Sequence, residues 1–364
     1  MENPTRSATG SGSRLISYAV LHEVCAESFR RAGLSAIDAR TGADVLATTD
    51  AWGVHTHGAK LLRGYLRRLV AGGLRPAGQP RVAAEGGAWA IVNADSTLGM
   101  VGSSFAMEVA IRKAREHGIG YVGVRNSSHF GAAGYYAWMA AREGLIGVSM
   151  ANDVPSVAAP GSRGAITGSN PIAYAVPAGR QPAILLDMSI ATVAGGKVYA
   201  ARERGDPIPE GWLLGLDGRP TTDPNIYPAS GTLTPAAGHK GYGIALLIET
   251  LAGILTGAAF TWRVQSWMAS DPTLPTDHGG AFLAIDAAAM MPPAAFGRRM
   301  DELIDEIHAA PRADGVDRIL VPGELEWERY GRAMADGINL PPDVVASLRE
   351  AATIVDLDLD GPIV

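Results

Sequence analysis

The sequence predicts a mixed α/β protein in which a helical N-terminus and a helical C-terminus enclose a strand-rich middle. Apolar residues recur at helical spacing from residue 18 to residue 69 and again after residue 290. Short apolar runs, separated by segments rich in Gly, Pro and Ser, occupy the region between them. The first pattern is typical of amphipathic helices and the second of buried strands. We therefore expect the two helical ends to pack together.

The N-terminal region predicts three helices. The first closes at Gly33 and carries apolar residues at helical spacing, namely Tyr18, Leu21, Cys25, Phe29 and Ala32. Ser35 and Asp38 form a capping-box pattern for a second helix that reaches about residue 51. A third begins in the VHTHG stretch and ends before Gly72. Residues 1–13 carry no apolar signal core, and we expect them to be a disordered tail.

Six short apolar runs predict buried strands. They lie at 89–95, 121–124, 145–150, 172–177, 183–188 and in AFLAID, which ends near residue 286. Helices are predicted near 99–117, 131–143, 294–310, 323–337 and 341–353. The segment 240–257 is apolar nearly all round, which predicts a central buried helix.

Composition and charge limit the classes of function. The chain has 364 residues, of which 47% are hydrophobic, and this is enough for a large core. A net charge of −6 without a basic run argues against nucleic acid, so we expect a small-molecule partner. The lone Cys25 indicates a reducing compartment, and no apolar stretch reaches the roughly 18 to 20 residues of a membrane span. We expect a cytoplasmic protein without a membrane partner.

Lysine is unusually scarce in this chain. Of the 31 Lys and Arg residues only four are lysines, at positions 60, 113, 197 and 240. Where a solvated charge suffices the sequence uses arginine, so a remaining lysine is a candidate for a functional ammonium group. Lys113, in IRKAREHG, has the surroundings of an ordinary surface charge.

A Rossmann dinucleotide site is not indicated, because G-x-G-x-x-G does not follow any predicted strand. Four turns rich in Gly, His and Ser do join apolar segments, at 125–137, 160–171, 187–197 and 236–243. Backbone N–H groups in such turns can bind anions. Each turn alone is weak support for a ligand site, since most glycine-rich turns serve only the chain reversal.

His55, Thr56 and His57 stand together at a predicted helix entry. Histidine suits proton exchange at neutral pH because its ordinary pKa is about 6.5, and a neighbouring hydroxyl can orient the ring. A metal site is an alternative, but the lone cysteine and the scattered histidines supply no obvious set of ligands, so we expect no metal. A purely structural histidine at a helix start is the other alternative.

Eight strings, taken in order, resemble the type 2 malate/L-lactate dehydrogenase family. They are GVHTHG, SSHFGAAGYYA, GSNP, LDMSIATVAGGK, IPEGW, DGRPTTDP, GHKGYG and VPGE. The resemblance covers roughly residues 15–355. The family also includes sulfolactate and ureidoglycolate dehydrogenases, diketogulonate reductase and a piperideine-carboxylate reductase.

The resemblance implies a non-Rossmann, sulfolactate-dehydrogenase-like fold with a mostly antiparallel sheet in the cofactor domain. It also implies a homodimer with active sites near the subunit interface. We place the NAD(P)-binding domain at 127–289, and a helical domain for substrate and dimerisation at 14–126 plus 290–364. The expected cofactor is NAD(H) or NADP(H).

The resemblance further assigns roles to individual residues. His57 matches the proton donor, Thr56 matches its hydroxyl neighbour, and Lys197 matches a lysine of many hydroxy-acid members. Ser169 and Asn170, in GSNP, match the substrate-contacting segment. The residues that match cofactor-binding positions are His129, Phe130, Gly131, Ala132, Ala133, Asp187, Met188, Ser189, His239, Lys240, Pro322, Gly323 and Glu324.

One departure from the family pattern affects the substrate site. The family places an arginine four residues after the histidine, where it suits a bidentate grip on the substrate carboxylate, and this chain has Leu61 there. Lys60, on the same helical face as His57, is a candidate substitute as a point charge. Alternatively, the substrate presents something other than a simple carboxylate at this position.

The expected reaction is reversible hydride transfer between the nicotinamide and C2 of a small 2-oxo or 2-hydroxy acid. His57 would exchange the proton, and Thr56 would orient the imidazole or the substrate oxygen. Lys197 would stabilise the negative charge on that oxygen or hold the acid group. One alternative is imine reduction to N-alkyl or cyclic amino acids, which the lysine at position 197 disfavours because the imine reductase has aspartate there. A cofactor-binding protein without turnover is an alternative of another class.

Overall fold

The computed structural model describes residues 12–359. These residues form two compact units, one of residues 12–72 with 325–359 and one of residues 73–324. The predicted tail, residues 1–13, lies outside the described residues except for Gly12 and Ser13. No helix in the described part of the chain combines the length and the apolar character that crossing a membrane requires.

The helices are α1 Tyr18–Arg31, α2 Ala36–Ala51, α3 Leu62–Ala71, α4 Gly99–His117, α5 Ala133–Arg142, α6 Gly195–Arg204, α7 His239–Ile248, α8 Pro293–Ala309, α9 Glu324–Asp336 and α10 Pro342–Ile354. The strands are β1 Arg14–Ile16, β2 Arg81–Glu85, β3 Trp89–Asn93, β4 Ile119–Ser127, β5 Ile146–Ala151, β6 Val157–Ala158, β7 Ala165–Thr167, β8 Ile172–Val176, β9 Ile184–Met188, β10 Leu213–Leu214, β11 Pro220–Thr221, β12 Thr232–Leu233, β13 His278–Ile285 and β14 Ile338–Leu340.

The first unit joins the two ends of the described chain, as the sequence predicted. β1 pairs antiparallel with β14, so that Ile16 lies opposite Ile338. Ser17 begins α1 by accepting a hydrogen bond from the Val20 N–H at 3.2 Å, and Ser35 accepts from the Asp38 N–H at 3.1 Å to begin α2. The Ser347 hydroxyl of α10 donates to the Lys60 carbonyl oxygen at 2.6 Å, which ties α10 to the segment before α3.

A seven-stranded sheet forms the centre of the second unit. Its order is β2-β3-β4-β13-β5-β8-β9, and only the β3–β4 pair is parallel. The predicted mixed α/β fold with a mostly antiparallel sheet is therefore confirmed. α5 packs very closely on this sheet, because a Cβ added at Gly147 of β5 would lie 2.2 Å from the Ala137 carbonyl oxygen of α5.

The two units differ from the predicted domains at their borders. Residues 73–126 and 290–324 belong to the second unit. The physical reason is that β2, β3 and β4 are hydrogen-bonded into the seven-stranded sheet, and that Ile304 of α8 packs in one cluster with Ile184 and Val321. The predicted division of cofactor and substrate binding between domains stays a prediction.

A second, five-stranded sheet has the order β11-β10-β12-β6-β7 and consists of strands of two or three residues. Together with α6 it encloses a small core that includes Val157, Val198, Leu213 and Leu233. The sequence analysis did not predict these strands or α6. Strands this short show no alternation of apolar and polar residues, and two glycines open α6.

The prediction of a buried helix over 240–257 is wrong in two respects. The α-helix α7 ends at Ile248, and a π-helix continues it over Glu249–Ile254. One side, with Ala245, Ile248 and Ala252, packs on the sheet. The other side exposes large apolar residues, namely Ile244, Leu246, Leu247, Ile254 and Leu255, which we call the α7 apolar face.

Glu249 is the buried acid at the junction of α7 and the π-helix. Its side-chain oxygens accept hydrogen bonds from Asn170 Nδ2 at 3.1 Å and from Asn152 Nδ2 at 3.3 Å. Burial raises the pKa of this carboxyl above its ordinary value, although the two amides act in the opposite direction. Glu249 thereby connects α7 to the ends of β5 and to the turn before β8.

We predict that the stability of a Glu249→Gln variant rises relative to that of the wild type as the pH increases. A carboxyl whose pKa is raised on folding binds more protons in the native state, so its ionisation destabilises the native state above the ordinary pKa. Urea denaturation between about pH 5 and pH 8 measures the difference in the free energy of unfolding. The exposed Glu302→Gln is the matched control, and a difference that does not change with pH would contradict the prediction.

Candidate active site

His57 lies in the turn between α2 and α3, in the first unit. Its N–H donates to the Val54 carbonyl oxygen at 3.0 Å, and its side chain is half-buried. Thr56 Oγ1 is 3.0 Å from His57 Nδ1, so the two side chains are within hydrogen-bond distance. A hydroxyl can either donate to Nδ1 or accept from it, so this contact orients the ring in either tautomer.

The basic side chains that follow His57 are engaged in ion pairs. Lys60 Nζ is 2.6 Å from an Asp343 carboxylate oxygen, and Arg63 Nη1 is 2.6 Å from Glu350. Leu61 is half-buried and carries no charge. A substrate acid group at Lys60 would therefore compete with Asp343, which weakens the expectation that Lys60 replaces the family arginine.

Main-chain hydrogen bonds bring three of the glycine-rich turns together in the second unit. The Ile190 N–H donates to the Ser169 carbonyl oxygen at 2.7 Å, and the Ala236 N–H donates to the Ile190 carbonyl oxygen at 2.8 Å. The fourth turn joins them through Asp187, whose Oδ2 accepts from the Gly134 N–H at 2.7 Å. The turns at 125–137, 160–171, 187–197 and 236–243 are thus connected, although 98 residues lie between the end of the first and the start of the last.

The turn before α5 is mostly a packing element. Phe130 is buried and its ring stacks on Tyr136 with centroids 4.9 Å apart. Ala132 and Ala133 are also buried, so any contact of these residues with a ligand would be through the backbone. The half-buried His129 ring stacks on Trp267 with centroids 4.3 Å apart. Gly131, two residues further along the chain, has a left-handed backbone conformation.

The N-termini of α5 and α7 differ in their suitability for an anion. Asp187 already accepts from a first-turn N–H of α5. No side chain caps α7, whose first two residues are the exposed His239 and Lys240. A helix N-terminus with a lysine in its first turn attracts phosphate, so α7 fits a dinucleotide phosphate better than α5 does.

The Asn170 side chain, predicted to lie in the substrate-contacting segment, is bonded to other groups of the chain. Its amide nitrogen donates to Glu249 and to the Ala245 carbonyl oxygen, and its Oδ1 accepts from the Asp153 N–H at 3.2 Å. The side chain is fully buried. Asn170 therefore shapes the turn that carries the half-buried Ser169, whose hydroxyl remains the candidate for substrate contact.

Lys197 lies in the first turn of α6 and is exposed. No hydrogen bond or ion pair of its ammonium group occurs among residues 12–359. Of the four lysines, Lys60 pairs with Asp343 and Lys113 with Glu85, whereas Lys197 and Lys240 have no such carboxylate. This separates the two lysines at family functional positions from the other two.

The segment Pro322–Gly323–Glu324 packs against the first half of β9. The Pro322 carbonyl oxygen accepts from the Leu185 N–H at 2.9 Å, and the Glu324 carboxylate contacts His308. β9 ends with Asp187 and Met188, which Ser189 follows. The predicted cofactor residues 187–189 thus lie at the end of β9, and the predicted cofactor residues 322–324 pack beside its first half.

Sequence reasoning missed the acidic groups that hold these segments. His278 Nε2 is 3.1 Å from Asp153 Oδ1, and His278 is almost fully buried. Burial acts to raise the pKa of Asp153, but the hydrogen bond and positive charge of His278 lower it overall, with a smaller contribution from His129. No local pattern in the sequence could reveal a pair that is 125 residues apart.

Comparison with known proteins agrees with the fold and with the turn motifs. The family model described as malate/L-lactate dehydrogenase matches residues 16–349. An L-sulfolactate dehydrogenase of Methanothermobacter thermautotrophicus is 36% identical over 318 residues, which is 87% of this chain and 90% of that protein. A Δ(1)-pyrroline-2-carboxylate/Δ(1)-piperideine-2-carboxylate reductase of Pseudomonas putida is 31% identical over 88% of this chain and 92% of its own length.

The solved structure of sulfolactate dehydrogenase from Methanocaldococcus jannaschii superimposes with a TM-score of 0.89 at 34% identity, covering 96% of this chain and all of that one. The family model spans nearly the whole described chain, and the relatives are a dehydrogenase and a reductase. The chain therefore belongs to the malate/L-lactate dehydrogenase family, a family of oxidoreductases that act on hydroxy acids.

Proposed function

We propose that this protein reversibly interconverts a small 2-oxo acid and its 2-hydroxy acid, with His57 as the acid and base. The observation that carries the proposal is the His57–Thr56 pair, in which a half-buried imidazole is oriented by a hydroxyl 3.0 Å away. The nicotinamide cofactor, when bound, supplies or accepts the hydride. His57 donates its proton to the substrate oxygen in reduction and takes it back in oxidation.

The remaining roles follow from exposure and charge. Lys197 stabilises the negative charge that develops on the substrate oxygen, because its exposed ammonium has no carboxylate partner in the described chain. Ser169 contacts the substrate through its hydroxyl. Lys240 and the first turn of α7 hold cofactor phosphate, whether the dinucleotide is NAD(H) or NADP(H). A cytoplasmic location, expected from the single cysteine, stays a prediction.

The first test is a His57→Ala variant. We expect turnover to fall by about 10²- to 10⁴-fold, the range of general acid–base catalysis, while the Kd of the dinucleotide changes less than about 3-fold. Absorbance of the reduced nicotinamide follows turnover, and fluorescence titration follows binding. His117→Ala, which alters an exposed histidine of α4, is the control. An equal loss of binding and turnover would show that His57 is structural.

The second test addresses the acid-binding position at Leu61 and the class of substrate. Wild type, Leu61→Arg and the uncharged control Leu61→Gln are assayed with NADH and NADPH against a panel of 2-oxo acids, with and without methylamine. We expect turnover without the amine, and a lower KM for simple 2-oxo acids in Leu61→Arg only, since arginine binds a carboxylate through two parallel hydrogen bonds. Turnover that requires methylamine would instead identify an imine reductase, the second candidate.

The proposed assembly is a homodimer through the α7 apolar face. Between Gly241 and Thr261 the only charged residue is Glu249, which is buried, so this surface presents no charge to solvent. A second copy of the chain offers an equally uncharged surface, and a two-fold contact brings the same surface of both copies together.

Light scattering after size-exclusion chromatography tests the dimer. We expect the wild type to have twice the chain mass of 37.9 kDa and Leu247→Glu to have the mass of one chain, because a buried unpaired carboxylate opposes association. Leu216→Glu, at an exposed leucine of the small sheet's loop, is expected to leave the mass unchanged. A monomeric wild type, or a dimeric Leu247→Glu, would contradict the proposed surface.

A further inference from the structure

Asp50 is a buried carboxylate at the end of α2 for which the proposed reaction has no direct use. Its side chain is fully excluded from solvent. One oxygen, Oδ1, is 2.7 Å from His55 Nδ1, and the other, Oδ2, accepts from the Ala59 N–H at 2.7 Å. Both oxygens of one carboxylate are therefore occupied by the segment that follows α2.

These two hydrogen bonds hold both ends of the segment 55–59, with His57 at its centre. The backbone also passes close to the carboxylate, because a Cβ added at Gly58 would lie 2.3 Å from Asp50 Cγ and Oδ2. Only glycine allows this approach without displacing the acid. The chain between His55 and Ala59 is thus wrapped around Asp50, and the position of His57 depends on it.

The energetics favour a native state in which both hydrogen bonds of Asp50 are formed. Burial raises the pKa of Asp50, and the hydrogen bond and charge of His55, together with the Ala59 N–H, oppose that effect. A buried carboxylate that loses one partner is costly, so the native state restricts the segment to conformations that keep both contacts. His55 remains about a quarter exposed at its side chain, so it can be changed with less disturbance of the core than Asp50.

We propose that Asp50 and His55 are positioning residues that hold His57 in its catalytic orientation. The inference rests on the proposed function, because it needs His57 to be the proton donor. Asp50 touches neither substrate nor cofactor in this proposal. It acts through the turn, which sets where His57 Nε2 lies relative to the substrate oxygen, and small displacements of a reacting group cost about 10²-fold in rate.

His55→Ala and His55→Asn form the main pair of variants. Alanine removes the donor to Asp50, whereas the Nδ2 of asparagine occupies nearly the place of histidine Nδ1 and can donate in its stead. We expect kcat of His55→Ala to fall about 10- to 100-fold, with KM and the dinucleotide Kd within about 3-fold of wild type. We expect His55→Asn to recover most of that loss.

A readout of proton transfer separates positioning from a purely structural role. If His57 is misplaced, proton transfer limits the rate, so the solvent deuterium isotope effect on kcat should be larger in His55→Ala than in wild type. Asp50→Asn should show the same changes if it folds, with Asp38→Asn in the first turn of α2 as its control. The melting temperature of each variant verifies its folding.

The outcomes of this experiment are distinct. Unchanged kcat in a folded His55→Ala overturns the inference, and so does a loss of kcat that His55→Asn does not restore. A parallel loss of kcat, cofactor binding and melting temperature would show that the pair only stabilises the fold. If His57→Ala keeps its activity, the proposed function fails and the positioning role fails with it, whereas an inactive His57→Ala with a fully active His55→Ala defeats the positioning role alone.

Discussion

The insertion of β13 between β4 and β5 is the constraint on which the second unit depends. β13 comes from residues 278–285 and pairs antiparallel with strands that precede it by more than 120 residues. Between β5 and β13 only β8 and β9 belong to this sheet, and the rest of the chain leaves it and returns. The loops, the small sheet, α6 and α7 lie in those excursions, and the glycine-rich turns at 160–171 and 187–197 adjoin β8 and β9.

Main-chain hydrogen bonds and buried acids keep those turns in place. Ser169, Ile190 and Ala236 are joined backbone to backbone, so the turns stay connected without relying on flexible side chains. Glu249 accepts a hydrogen bond from the Asn170 side chain, and Asp153 pairs with His278. In both cases the partner is buried and comes from another part of the chain. Because an unsatisfied buried carboxylate is costly, each acid restricts its surroundings to one arrangement.

Asp50 shows the same principle in the first unit, where a single carboxylate binds both ends of the turn that carries His57. Asp50 and Glu249 are more deeply buried than the groups proposed to meet ligands. Lys197, His239 and Lys240 are exposed, and His57, Ser169 and His129 are half-buried. Catalysis and binding require this arrangement, because a group must reach its ligand while the residues that position it stay buried.

Much of the fold could be read from local patterns. The helical spacing of Leu21, Cys25 and Phe29 predicted α1, the cap at Ser35 predicted the start of α2, and the ordered motifs identified the family. The strands of the small sheet and α6, which begins with two glycines, were not predicted because they show no periodic pattern of apolar residues. The apolar residues of α7 predicted a buried helix, but one face of α7 is exposed. The apolar character of a residue does not determine which other segments will pack against it.

The sequence by itself determined the elements with a strong period, the turn motifs and the candidate residues His57, Lys197 and Lys240. Only the tertiary structure decided that Lys60 pairs with Asp343, that the Asn170 amide donates to Glu249, and that Asp50 holds the turn of His57. Propensity and periodicity act between neighbours in the chain, whereas ion pairs and buried hydrogen bonds depend on distances that folding creates between residues remote in sequence.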